Sequence, residues 1–177
     1  MVILEDTRQQ ENKHNFKLKY FEEQNIKVDR CGLYVGDYTI ANNQKVCVDT
    51  KKDLQEIIQD VTVDHDRFRK EMLRAKEAEI TLYILCEEGI TDIEEVKDWQ
   101  NPRLKIMKPL LDKNGEKVKD ENGKLIKVPK YPRAMTGEQL YKIIKTQEER
   151  YGIKYLFCKK EEAGKLILEL LGIQEAA

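Results

Sequence analysis

Short apolar, β-branched runs alternate with amphipathic stretches along this chain, and most of these runs end in a carboxylate. Val2-Ile3-Leu4 gives way to Glu5-Asp6, Val46-Cys47-Val48 runs into Asp49, and Ile80 to Cys86 stops at Glu87-Glu88. Runs of this length suit buried strands. Helical periodicity fills the intervals: Phe16, Tyr20 and Phe21 within 11–24, then Leu54, Ile57, Ile58 and Val61, then Phe68, Met72, Leu73 and Ala75 between Asp66 and Ala78. Strands interleaved with helices bury both apolar surfaces only as a layered α/β domain.

The remaining elements follow. Ile26 to Val35 is read as a second strand that ends at Gly36-Asp37-Tyr38, after which Tyr38 to Ile40 resumes. Ala41-Asn42-Asn43-Gln44 is turn chemistry leading to the strand Val46–Val48. Thr136 with Gln139 makes a capping box for a helix to Tyr151. Tyr155 to Cys158 is the last strand, and Glu161 to Leu171 the last helix, stopped by Gly172. No internal repeat is expected.

At 177 residues the chain is expected to form a single domain, 1–177. Its 32 basic and 33 acidic residues nearly cancel, which excludes a uniformly basic nucleic-acid coat and an acidic tail protein. It contains no serine, so a Ser-His-Asp triad is excluded, and two histidines cannot build a His-rich zinc site. The four cysteines lack metal-ligand spacing and read as buried free thiols in a reducing, cytoplasmic compartment. No signal peptide or membrane helix is expected, because acids follow the N-terminus at once and no apolar run approaches roughly 20 residues.

Residues 101–133 change character. Four prolines and two Asn-Gly pairs break regular structure, and ten Lys/Arg stand against four Asp/Glu. This local charge of +6 leaves about −7 for the rest of the chain. The segment is read as an inserted basic loop or β-hairpin, with Trp99 and Tyr131 flanking it. Lys113, Lys117, Lys119, Lys124, Lys127 and Lys130 carry most of its positive charge and are its candidate phosphate contacts. A merely solvated lysine-rich hairpin is the competing reading.

Asp37, Asp49 and Lys51 are the candidate catalytic set. Joined by a short turn, their strands could place both carboxylates at one sheet edge, and Asp49 and Lys51 share a face by the period of two. Two carboxylates suit a hard cation such as Mg²⁺, and a nearby lysine can balance charge on a phosphate. Taken singly, Gly36-Asp37 also reads as a turn, and Asp49 as a helix N-cap.

The motifs in order carry a resemblance. Asp6-Thr7-Arg8-Gln9, Gly36-Asp37-Tyr38, Val48-Asp49-Thr50-Lys51, Arg67-Phe68-Arg69 and Ile84-Leu85-Cys86-Glu87 resemble the XPF-family nuclease domain. That family is a branch of the PD-(D/E)xK restriction-endonuclease-like superfamily. The resemblance implies a mixed central sheet flanked by helices and a metal-dependent endonuclease acting on branched or junction DNA in recombination, repair or replication. It implies Asp37, Asp49 and the Thr50 backbone carbonyl as ligands for Mg²⁺ or Mn²⁺, with Lys51 as the catalytic lysine. Asp6, Arg8, Glu87 and Arg67 take supporting roles, and a homodimer is implied because the family's nuclease domains pair. The family's helix-hairpin-helix module is not expected in a chain of this length. The departures are Asp49 for Glu, Thr50 for Arg, Gln9 for Glu, and Gln55, with Glu56 beside it, for a trailing Asp. They keep open a catalytically silent DNA-binding or partner-binding module on the same fold.

Overall fold

The computed structural model describes residues 1–9 and 15–174. Its elements are β1 (Val2–Asp6), α1 (Asn15–Glu23), β2 (Lys27–Cys31), β3 (Tyr38–Ile40), β4 (Asn43–Lys51), α2 (Leu54–Thr62), α3 (His65–Glu77) and β5 (Thr81–Cys86). They continue with β6 (Met107–Pro109), β7 (Lys127–Pro129), α4 (Gly137–Tyr151), β8 (Lys154–Phe157) and α5 (Ala163–Leu170). Short 3-10 segments at Ile93–Asp98, Pro102–Lys105 and Lys160–Glu162 connect them.

Six strands form one mixed sheet in the order β2-β1-β3-β4-β5-β8. The β1–β3 and β3–β4 pairs are antiparallel, and β1–β2, β4–β5 and β5–β8 are parallel. The period of two sorts side chains onto two faces. Cys47, Leu82, Ile84 and Tyr155 pack under Ile57, Phe68, Met72, Leu140 and Ile144 of α2, α3 and α4. Ile3, Tyr38, Val48 and Leu85 pack on the other face against Phe21, Ile167 and Leu168 of α1 and α5. The Phe21 and Tyr38 rings meet edge to face at 5.9 Å. This is the expected mixed α/β sheet flanked by helices.

The capping box of α4 forms as read, with Thr136 and Gln139 each bonding the other's backbone. The second strand is shorter than expected. It stops at Cys31 because the Leu33 N–H leaves the ladder and donates to Asp6 Oδ2 at 2.9 Å. Asp37 therefore does not close a strand; it stands immediately before β3. The acid that opens α2 is Asp53, whose Oδ1 accepts from Glu56 N at 2.9 Å. The trailing position at Gln55 is instead bonded to Asn101.

The insertion carries a small antiparallel pair, β6–β7. Between them lies a repeat that the sequence reading missed. Leu110-Leu111-Asp112-Lys113-Asn114-Gly115 and Val118-Lys119-Asp120-Glu121-Asn122-Gly123 are offset copies. In each, one Asp oxygen accepts two backbone N–H groups: Asn114 and Glu116 to Asp112, Asn122 and Lys124 to Asp120. Leu110, Val118 and Ile126 close a ring of backbone bonds, in which Leu110 donates to Ile126, Ile126 to Val118 and Val118 to Leu110. The repeat lies in backbone-binding Asp-x-Asn-Gly turns rather than in apolar periodicity.

Candidate metal and phosphate site

Because β3 and β4 run antiparallel, the start of one lies beside the end of the other. Tyr38 pairs with Val48, and Asp37 N donates to Val48 O at 2.8 Å. Asp37 Oδ2 then accepts from both Thr50 N and Thr50 Oγ1, each at 2.7 Å. Gly36 makes this crossing feasible. It has φ +71°, and a Cβ there would sit 3.1 Å from Val48 O. Its N–H donates to Glu71 Oε1 of α3 at 2.9 Å.

Asp49 and Lys51 point from β4 toward α2 and α3, on the face of Cys47. The Lys51 ammonium lies 2.8 Å from Asp49 Oδ2 and 2.7 Å from Asp60 Oδ2, over the Phe68 ring at 5.3 Å. All three charged side chains are buried. Burial alone would lower the Lys51 ammonium, but Asp49 and Asp60 outweigh it and hold it well above the ordinary lysine value. Lys51 is therefore a fixed positive charge rather than a base. Burial pushes the Asp49 carboxyl up, and the charges of Asp37 and Glu71 add to that push. Asp49 Oδ2 and Asp60 Oδ2 meet the ammonium without an aligned hydrogen bond, so both retain acceptor capacity.

Asp6 is fully buried and committed to its neighbours. It takes Arg8 N and Nε on Oδ1, and Arg8 Nη2 and Leu33 N on Oδ2. Arg8 also bonds Leu33 O. Asp6 and Glu87 are separated in the sheet by β3 and β4. Glu87 forms a buried ion pair with Lys17 of α1, on the face opposite Asp49 and Lys51. Arg67 reaches Asp60 Oδ1 at 3.2 Å, so it touches the site through the carboxylate that also holds Lys51. His14, which reads as a surface helix histidine with a place near Asp6 as the alternative, lies outside the described residues.

Two carboxylates were missed. Asp60 interrupts the apolar stripe of α2 between Ile57 and Val61, and Glu71 sits beside Met72 on α3. An acid on an inward helix face is rarely buried without a partner, and that was the available signal.

The donor set fits a hard divalent cation in its chemistry. Asp37 and Asp49 supply carboxylate oxygens, and Asp49 Oδ2, though paired with the Lys51 ammonium at 2.8 Å, keeps a second lone pair. N–H and C=O of one strand residue point the same way, so the Thr50 carbonyl faces the side from which Asp37 binds Thr50 N. Among the described residues no group of three His, Cys, Asp or Glu converges as a metal cage. Mg²⁺ needs none, since it keeps several waters and takes one or two carboxylates.

The exposed lysines Lys113, Lys117, Lys119, Lys124, Lys127 and Lys130 line the insertion. Trp99, which flanks the insertion, packs against the core and donates its Nε1–H to Glu88.

Asp37, Asp49 and Lys51 thus gather at the open end of the β3–β4 hairpin of a mixed α/β sheet. Residues 6–170 match the ERCC4 domain model, and the chain belongs to that family, with an XPF-family nuclease-domain fold. The fold is similar to XPF from Aeropyrum pernix, with TM-score 0.58 and 16% identity over 97% of this chain. It is similar to the same protein in complex with DNA, with TM-score 0.57 and 15% identity over 97% of this chain. The chain spans 60% and 63% of those two chains. No curated protein matches it at a significant level.

Proposed function

We propose that this chain is a divalent-metal-dependent DNA endonuclease that hydrolyses phosphodiester bonds in branched or junction DNA during repair, recombination or replication. The observation that carries the reading is the set Asp37, Asp49 and Lys51, with Asp37 just before β3 and the other two on β4, in a member of the ERCC4 family. Asp37 and Asp49, with the Thr50 carbonyl, would hold Mg²⁺ or Mn²⁺. When bound, such a cation supplies Lewis acidity to the phosphate and acidifies a nearby water. The Thr50 hydroxyl and N–H orient Asp37. Lys51 keeps its proton on Nζ and offers positive charge where the scissile phosphate gains negative charge. Arg67 and Phe68 hold Asp60 and Lys51 in place from α3.

DNA is the partner, and the insertion lysines neutralise its phosphates. A homodimer would present two such sites for symmetric cuts on a junction. Free Cys47, Cys86 and Cys158, all buried, suit a reducing cytoplasm.

The test is cleavage of labelled linear, flapped, forked and four-way-junction DNA with Mg²⁺ or Mn²⁺, then with chelator. Chelator-sensitive cleavage that favours branched substrates supports the reading. A second reading, a catalytically silent DNA-binding or partner-binding module, draws on Thr50 and Gln55, which stand where the resemblance implies an arginine and an aspartate. Binding to every substrate without cleavage of any would establish it instead.

A further inference from the structure

The acids of the site outnumber the cations that hold them. Lys51 and Arg67 are taken up by Asp49 and Asp60. Asp37 and Glu71 are left with no cation at ion-pair distance among the described residues. Charges withdrawn from water are normally paired or bound to a metal. Two negative charges left over at one end of the β3–β4 hairpin match the charge of a divalent cation.

Glu71 reaches this end of the hairpin from α3. Its Oε1 accepts the Gly36 N–H at 2.9 Å, one residue before Asp37. One turn further along α3, Arg74 donates its Nε–H to Tyr34 O at 3.2 Å and lies 5.7 Å from the Tyr34 ring. The helix thus clamps the 34–36 segment at two points, and the next amide, Asp37 N, is held by Val48 O. Asp37 enters the site on a turn that Glu71 fixes.

Only one Glu71 oxygen is used in this holding. Glu71 Oε2 has no hydrogen bond or ion pair among the described residues. The other acids around the hairpin are engaged: Asp37 with Thr50, Asp49 with Lys51, Asp60 with Lys51 and Arg67, and Asp6 with Arg8. The free charge is felt at the neighbouring carboxyl. Burial is the first cause that raises Asp49, the Lys51 charge opposes it, and the Asp37 and Glu71 charges add to it.

Mg²⁺ takes one or two carboxylates directly and keeps several waters. Asp37 and Asp49 are the direct ligands in the reading above, so a third acid meets the ion through its waters. No cage of three direct ligands is then required, and none is found among the described residues. We propose that Glu71 is the third acid of the cation site, bracing the Gly36–Asp37 turn through Oε1 and accepting a hydrogen bond from a cation-bound water through Oε2. This inference rests on the metal reading above and adds a residue to it.

The test is Mn²⁺ binding by the intact chain, read as loss of the electron paramagnetic resonance signal of the free ion. Glu71→Gln keeps an oxygen for the Gly36 N–H and removes the charge, so its thermal melt should match that of wild type. Its Mn²⁺ affinity should fall about ten- to a hundredfold, the usual cost of removing a partner that orients a metal's ligands. Glu77→Gln, which removes an exposed acid from the same helix, should bind Mn²⁺ like wild type. Unchanged Mn²⁺ affinity in Glu71→Gln, or an equal loss in Glu77→Gln, would overturn the assignment. Glu71-dependent Mn²⁺ binding without cleavage of any DNA would leave the assignment standing and remove the nuclease reading. Mn²⁺-dependent cleavage by wild type, with Mn²⁺ binding unaffected by Glu71→Gln, would do the reverse.

Discussion

Asp37 reaches from the start of β3 to β4 and takes both the backbone N–H and the hydroxyl of Thr50 on a single oxygen, each at 2.7 Å. One residue thereby orients a candidate metal ligand through two donors, at the position where the resemblance implies an arginine.

Thr50→Val keeps the shape and the backbone bond but removes the hydroxyl. It should cost about 1 kcal/mol of stability. Cleavage should fall roughly tenfold, as expected when a catalytic carboxylate loses part of its orientation. A thermal melt and an initial-rate measurement check both. Unchanged cleavage would show that the backbone bond alone orients Asp37.

Asp60 is one of the two carboxylates that hold Lys51 charged. Asp60→Asn removes negative charge beside the ammonium, so the Lys51 proton is lost at lower pH than in wild type. The alkaline limb of the pH–cleavage profile should move to lower pH, with the acid limb largely in place. Asp60→Ala should in addition destabilise the fold by about 3 kcal/mol, because a buried pair loses a member. An unmoved alkaline limb would remove Asp60 from the site's electrostatics.

The Asp6 carboxyl is pulled up by burial, but the hydrogen bonds and charge of Arg8 and the Leu33 N–H outweigh that and hold it below the ordinary value. A depressed acid stabilises the fold above its unfolded pKa of about 3.9 and loses that contribution as pH falls through the folded value. Asp6→Asn should therefore be less stable than wild type by about 2 kcal/mol at pH 7. The gap should close below pH ~4. Urea midpoints at the two pH values read this directly.

The six insertion lysines should set the salt dependence of DNA binding. Replacing Lys113, Lys117, Lys119, Lys124, Lys127 and Lys130 with glutamine should flatten the slope of log K against log salt. The flattening should approach about 0.9 for every phosphate that is no longer neutralised. An unchanged slope would place the phosphate-binding surface elsewhere.

The sequence made some of this legible and hid the rest for identifiable reasons. The central strands were readable because β4 and β5 are buried on both faces and therefore apolar. Asp37, Asp49 and Lys51 stood out through their place in the Gly36-Asp37-Tyr38 and Val48-Asp49-Thr50-Lys51 motifs, and the fold brings Asp37 beside Thr50 and Lys51 beside Asp49. Asp60 and Glu71 were missed because they reach the site from helices, where partnership with Lys51 and Gly36 is a matter of packing and not of spacing. Glu87 looked equivalent to the other strand-end acids, yet one step of the pleat turns it to the opposite face, toward Lys17. Trp99 and Tyr131 looked alike in sequence, and only burial separates them.

Asp49 and Lys51 are held to act as one catalytic unit, and that is the claim on which the rest depends. The most direct measurement is Mg²⁺-dependent cleavage of a forked DNA by wild type, Asp49→Ala and Lys51→Ala, with binding to the same DNA measured in chelator. The expected result is cleavage by wild type and a loss of a hundredfold or more, on the order of 3 kcal/mol, in each variant that still binds. Cleavage retained at the wild-type rate in either variant would contradict it.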